Sequence, residues 1–219
     1  GADMASERLM YRKYMVDMCV YWAREYKLAG FRFDLMGIHE SDTMKEIYEE
    51  LYKIDNKVMV YGEPWAGGTT ATDKGAEKAV KANVGLGAGA FDDDFRNAIK
   101  GGEFGGFQKG HVQGIYNDKA IITGLTGAET KRNNTGNPAL SLHYVECHDN
   151  HTLFDRLALS NFGKISGLST SNISVISEQN KLTAAYIFLA QGTPFINGGQ
   201  EFMRTKKGDH NSYKSNDTI

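Results

Sequence analysis

A short apolar run that ends in charge constrains this chain most. It is Gly30-Phe31-Arg32-Phe33-Asp34-Leu35-Met36-Gly37-Ile38-His39. Phe31, Phe33 and Leu35 alternate with Arg32 and Asp34, which is the period of a strand over 31–36. An Arg-x-Asp pair in such a run is costly to bury, so it is expected to be well satisfied or functional. Two further runs have the same character. Residues 57–63 read as an apolar strand ending at Glu63, and 140–147 as one running into His148-Asp149-Asn150-His151.

Helical patterns separate these runs. Residues 5–28 carry Tyr11, Met15, Met18, Trp22 and Tyr26 as one stripe, with Ser6 as N-cap and Gly30 as the left-handed stop. Residues 42–53 place Met44, Ile47, Tyr48 and Leu51 on one face, and Asp55-Asn56 make a turn. A short helix is expected within 66–90, then a thin strand at 85–91 and a helix over 94–100. Residues 101–137 read as a Gly- and Asn-rich insertion with room for small helices. Residues 152–176 read as a long connection, 179–190 as a helix with Leu182, Ala185, Tyr186 and Leu189 inward, and 194–197 as a last strand.

Helix–strand alternation predicts parallel βα units rather than hairpins. Five strands suit an open parallel sheet or the later part of a (β/α)8 barrel; in both, sites lie beyond the carboxyl ends of the strands. No repeat or linker divides the chain. At 219 residues it is either one large domain or an incomplete one. A net charge of −2 with no Lys/Arg block argues against nucleic acid or an anionic membrane as partner, and no apolar run reaches membrane-spanning length. Cys19 and Cys147 have no metal-ligand spacing and leave the compartment open.

One strand-end carboxylate is readily a helix cap. Three of them, Asp34, Glu63 and Asp149, at the ends of parallel strands converge on one rim. Paired carboxylates suit glycoside hydrolysis, with one as nucleophile and the other protonating the leaving oxygen. Glu63, followed by Pro64-Trp65, fits the proton donor, because an indole can desolvate it. Arg32, two residues from Asp34 on the same side of the strand, suits keeping Asp34 ionised as a nucleophile.

Gly-Phe-Arg-Phe-Asp at 30–34, Tyr-Gly-Glu-Pro-Trp at 61–65 and Glu-Cys-His-Asp-Asn-His at 146–151 resemble three stretches of the α-amylase superfamily. Leu-Met-Gly-Ile-His at 35–39 and Asp-Asn-His-Thr-Leu at 149–153 most resemble type I pullulanases, as do the stretches 91–97 and 197–202. The resemblance implies a partial TIM (β/α)8 barrel holding roughly strands four to eight. It implies a retaining hydrolase that debranches α-1,6 links in pullulan, amylopectin dextrins or glycogen. Asp34 is then the nucleophile, Glu63 the acid/base and Asp149 the third carboxylate. Arg32, His148 and Asn150 are substrate-binding, and Trp65 is a stacking platform. The partners implied are an α-glucan and the rest of the chain's own barrel. No cofactor is implied, with room left for a structural calcium. The family's three earlier strands and an Asn-His stretch are missing, so the 219-residue chain is expected to be inactive alone.

Rival readings are an isoamylase or α-1,4-acting relative, and a non-catalytic glycan-binding homologue. A metal at 148–151 is disfavoured, because adjacent strand residues point to opposite faces. Cys147 reads as a small buried residue, not a nucleophile. The glycines at 85–89 precede an acidic run that repels phosphate. Trp22 is expected in the core and Trp65 at the surface, while His39 fits either the rim or a helix start. Lys206 and Asp217 are expected to make distal sugar contacts.

Overall fold

The computed structural model describes residues 4–65, 72–82, 84–128, 134–216 and 219. Two compact units make up the chain, one of residues 1–91 and 129–142, the other of 92–128 and 143–219.

The first unit opens with α1, Leu9–Tyr26, then β1, Gly30–Phe33. α2, Ser41–Tyr52, leads to β2, Met59–Gly62, and α3, Ala76–Lys81, to β3, Gly89–Phe91. β1 pairs with β2, β2 with β3, and β3 with β4 (Ser141–His143), all parallel. The strands lie side by side in chain order, the expected βα winding. The register sets Phe33 opposite Gly62, so the residues that follow, Asp34 and Glu63, leave neighbouring strands at the same level. Met15, Cys19, Met44, Ile47, Leu51 and Val60 fill the core of this unit.

The second unit holds α4 (Asp93–Lys100), α5 (Asp118–Leu125), α6 (Leu153–Phe162), α7 (Thr170–Leu189) and β5 (Thr193–Pro194). Its core is Phe95, Ile99, Leu153, Leu157, Ile176 and Ile187. The N–H of Phe195, just past β5, donates to the carbonyl of His143 at 2.9 Å.

Several boundaries differ from the sequence reading. β1 stops at Phe33, because Leu35 turns left-handed and Met36–Ile38 form one 3-10 turn. α1 begins after Arg8, and its stop is Lys27 with φ 56°, while Gly30 is the first residue of β1. Ser6 caps no helix; its hydroxyl accepts the Glu40 N–H at 2.8 Å. The buried face of α1 is Met15, Val16, Cys19 and Ala23. Trp22 and Tyr26 lie exposed and pack on each other, with ring centroids 4.4 Å apart, so Trp22 is not core.

α6 was not foreseen, although Thr152 accepts the Asp155 N–H at 3.2 Å as a true N-cap and Gly163 ends the helix left-handed. α7 starts nine residues before the expected 179 and buries Ile176, Asn180, Thr183 and Ile187, leaving Leu182 and Leu189 exposed. Two polar residues interrupt that stripe, and both are satisfied. Asn180 donates to the Gln200 carbonyl at 3.1 Å and Thr183 to the Gln179 carbonyl at 2.8 Å. Hydrogen bonds to backbone carbonyls, one local and one from the distant Gln200, thus satisfy polar residues on an inward face that an apolar count misses.

Candidate active site

Asp34 and Glu63 each directly follow a strand, at the carboxyl ends of β1 and β2. Arg32 reaches both. One terminal nitrogen donates to Asp34 Oδ1, and the other donates to Glu63 Oε1 at 2.7 Å. Alternation makes this geometry, since Arg32 and Asp34 are two residues apart and share a side of the chain. The second oxygen of Glu63 accepts the Leu35 N–H at 2.5 Å, which the left-handed turn at Leu35 aims back at it.

Burial separates the two acids. The Glu63 side chain is 7% exposed and that of Asp34 69%. Because the guanidinium touches both, Arg32 does not by itself assign their roles as the sequence argument had it. Burial is the asymmetry that remains.

A residue the sequence reading passed over builds this corner. The Gly37 N–H donates to the Glu63 carbonyl at 2.9 Å. A Cβ on Gly37 would lie 2.4 Å from the Trp65 carbonyl carbon and 2.8 Å from the Pro64 oxygen. The 3-10 turn after β1 therefore packs backbone to backbone against 63–65, as only glycine permits. Trp65 is half-buried there, neither clearly core nor clearly surface. His39 ends the 3-10 turn, with its ring edge-on to Phe33 at 6.2 Å. Burial lowers its pKa, and its Nδ1 has no hydrogen-bond partner.

Asp149 does not end a strand. β4 stops at His143, and the backbone beyond it is irregular up to α6. Side chains hold that stretch instead of a ladder. Asn197 donates to Glu146 Oε1 at 2.9 Å and to the Cys147 carbonyl at 3.3 Å, and Glu146 accepts the Leu153 N–H. His148 Nε2 lies 3.6 Å from Asp149 Oδ1, both side chains being well exposed. Asn150 follows with φ 59°, a left-handed turn that asparagine tolerates. Asp92, after β3, is a strand-end acid of the ordinary kind: buried, it accepts the Phe95 N–H at 3.0 Å and caps α4.

The structure thus brings Arg32, Asp34 and Glu63 together in the first unit, and His148, Asp149 and Asn150 in the second. Lys206 is no distal sugar contact, being 2% exposed. Asp217 lies outside the described residues. Burial raises the Cys147 thiol pKa, opposite to what a thiolate nucleophile needs. Among the described residues no cluster of three or more His, Cys, Asp or Glu could hold a metal ion, and no helix is long and apolar enough to cross a membrane.

A parallel α/β sheet with an arginine-bridged carboxylate pair at its carboxyl end is the class that fold and site define. No family model matches the chain. Along its whole length it is 40% identical to 30% of the Bacillus subtilis pullulanase. The solved pullulanase of an Anoxybacillus species, complexed with maltotriose, matches at 38% identity and a TM-score of 0.87, over 100% of this chain and 30% of that one. The Paenibacillus barengoltzii pullulanase, complexed with maltohexaose and α-cyclodextrin, matches at 38% and 0.84, over 96% of this chain and 32% of that one. The chain is similar to a segment of these pullulanases. It spans 30% of the first curated relative and 17% of the next.

Proposed function

We propose that the chain carries the catalytic acids of a retaining glycoside hydrolase that debranches α-1,6-glucosidic links in pullulan, amylopectin dextrins or glycogen. It supplies strands four to eight of a (β/α)8 barrel, and the rest of that barrel is its partner. The observation that carries the reading is the guanidinium of Arg32 shared by Asp34 and Glu63 on adjacent strands. Parallel neighbours lie about 4.8 Å apart. Level carboxylates on them suit the separation of about 5–5.5 Å that a retaining pair uses. The likeness to pullulanases solved with malto-oligosaccharides supports an α-glucan as substrate.

In this mechanism Asp34, open to the solvent side, attacks the anomeric carbon. Glu63 delivers its proton to the leaving oxygen. It then takes a proton from the water that hydrolyses the glycosyl–Asp34 ester. Arg32 orients both carboxyls. Asp149 holds sugar hydroxyls and stabilises the oxocarbenium-like transition state, with His148 and Asn150 beside it, and Trp65 stacks on the leaving-group side. This chemistry uses no organic or redox cofactor.

The test uses the complete parent protein on pullulan and on linear amylose, with Asp34→Asn as control. Maltotriose from pullulan, nothing from amylose and an inactive variant support the assignment. Cleavage of amylose moves the protein to the α-1,4-acting group, and binding without turnover moves it to the glycan-binding reading.

A further inference from the structure

Lys206 is buried, yet it carries an ammonium, and its Nζ donates to the His148 carbonyl at 3.0 Å. Taking an ammonium out of water costs several kcal/mol unless its contacts offset it. A residue that only filled space here would be better served by methionine.

Both ends of this side chain are held. At its base, the fully buried Asp155 of α6 gathers the loop after β5. Asp155 Oδ1 accepts the Thr205 hydroxyl at 2.5 Å, and Oδ2 accepts the Lys206 N–H at 2.8 Å and the Gly208 N–H at 3.1 Å. The Lys207 N–H closes the turn on Thr205 Oγ1 at 2.8 Å, with Lys207 and Gly208 both left-handed. At its tip, the ammonium meets the peptide between His148 and Asp149.

The stretch around that peptide is pinned on one flank by Asn197, which holds Cys147 and Glu146, and on the other by the bond from Leu153 to Glu146. Neither restraint reaches the His148 carbonyl. Lys206 does, and the left-handed turn at Asn150 follows directly after Asp149. Burial lowers the ammonium's pKa and Arg204 pushes the same way, while Asp209 and Asp149 oppose them.

We infer that Lys206 is a positioning residue: clamped through its backbone by Asp155, it fixes the peptide that aims Asp149. The inference rests on the reading of Asp149 as the third catalytic acid.

The experiment measures pullulan hydrolysis by the complete parent protein carrying Lys206→Met or Lys206→Arg, each alone and with Asp149→Asn. A small misplacement of a reacting group can cost about a hundredfold in rate. Lys206→Met should therefore lower kcat by about tenfold or more with KM within about threefold, because an interaction felt in the transition state is lost. Lys206→Arg, which keeps the donor and the charge, should restore part of kcat. In the Asp149→Asn background Lys206→Met should cost less than about twofold more, since the two act as one unit. If Lys206→Met does not fold, as judged by circular dichroism, Lys206→Gln is read in its place with the same expectations. An unchanged kcat, or a loss fully additive with Asp149→Asn, overturns the inference while wild-type turnover keeps the hydrolase reading intact. No turnover of pullulan by the wild type removes both.

Discussion

Arg32 donates to Glu63 across one strand pair at 2.7 Å, a distance at which two charges cannot be treated as independent. Its other nitrogen is engaged with Asp34, so one guanidinium serves a buried and an exposed carboxylate together.

Removing that guanidinium exposes the cost of burying Glu63. Breaking a buried pair costs about 3–5 kcal/mol, and less where a partner is wet. With Arg32 a quarter exposed, Arg32→Met is expected to lose about 2 kcal/mol in urea unfolding of the complete protein. Adding Glu63→Gln should return most of it. Additive losses in the double variant would show that the charge pair is not the cause.

Gly37 tests the corner rather than the charges. Since its Cβ would meet backbone atoms of Trp65 and Pro64, Gly37→Ala must displace the 63–65 stretch, and overpacking of this kind costs about 1–3 kcal/mol. A lower melting temperature with a changed tryptophan fluorescence is expected. A variant that melts as the wild type does would mean that the backbones are not in contact.

Cys147 should be dispensable for chemistry. Burial holds its thiol in the neutral form, and burial pushes Cys19 up to about 11. On the proposed function, Cys147→Ser in the complete parent protein is expected to keep pullulan turnover within about threefold, and native protein should react slowly with a thiol reagent at neutral pH. Loss of turnover on this substitution would reinstate the sulfur as a participant.

His39 predicts an acid-sensitive stability. Burial lowers its pKa below 6.5, so between the folded value and 6.5 the unfolded chain binds more protons and folding stability rises with pH. Its contribution is complete above 6.5 and is lost on acidification through that window. The slope is below the limit of about 1.4 kcal/mol per pH unit for one proton, reduced further by partial exposure. His39→Gln should flatten the acid side of the curve of unfolding free energy against pH; identical curves would remove His39 from the account.

Periodicity carried much of the fold. The apolar faces of α2 and the strand runs ending at Asp34 and Glu63 were legible because alternation and i, i+4 spacing are properties of the chain itself. α6 and the first half of α7 were not. The start of α6 carries Thr152 and Asp155, polar residues that are satisfied inside and look like loop until their partners are known, and of residues 170–178 of α7 Ile176 alone is buried. The extent of β4 failed for a related reason. Tyr144 and Val145 are apolar and buried, yet the stretch that follows bonds to Asn197 and not to a neighbouring strand.

By itself, then, the sequence determined the helix–strand alternation, the parallel class and that Asp34 and Glu63 follow strands, because covalent spacing decides on which side a residue lies. Only the tertiary structure decided what those side chains meet. That Arg32 is shared between two acids depends on the β1–β2 register, and that Gly37 admits the backbone of Trp65 depends on how two turns pack. Lys206, expected to reach sugar, is buried under His148 because Asp155 folds its loop inward. Contacts between residues far apart in the chain are set by packing, which no local pattern encodes.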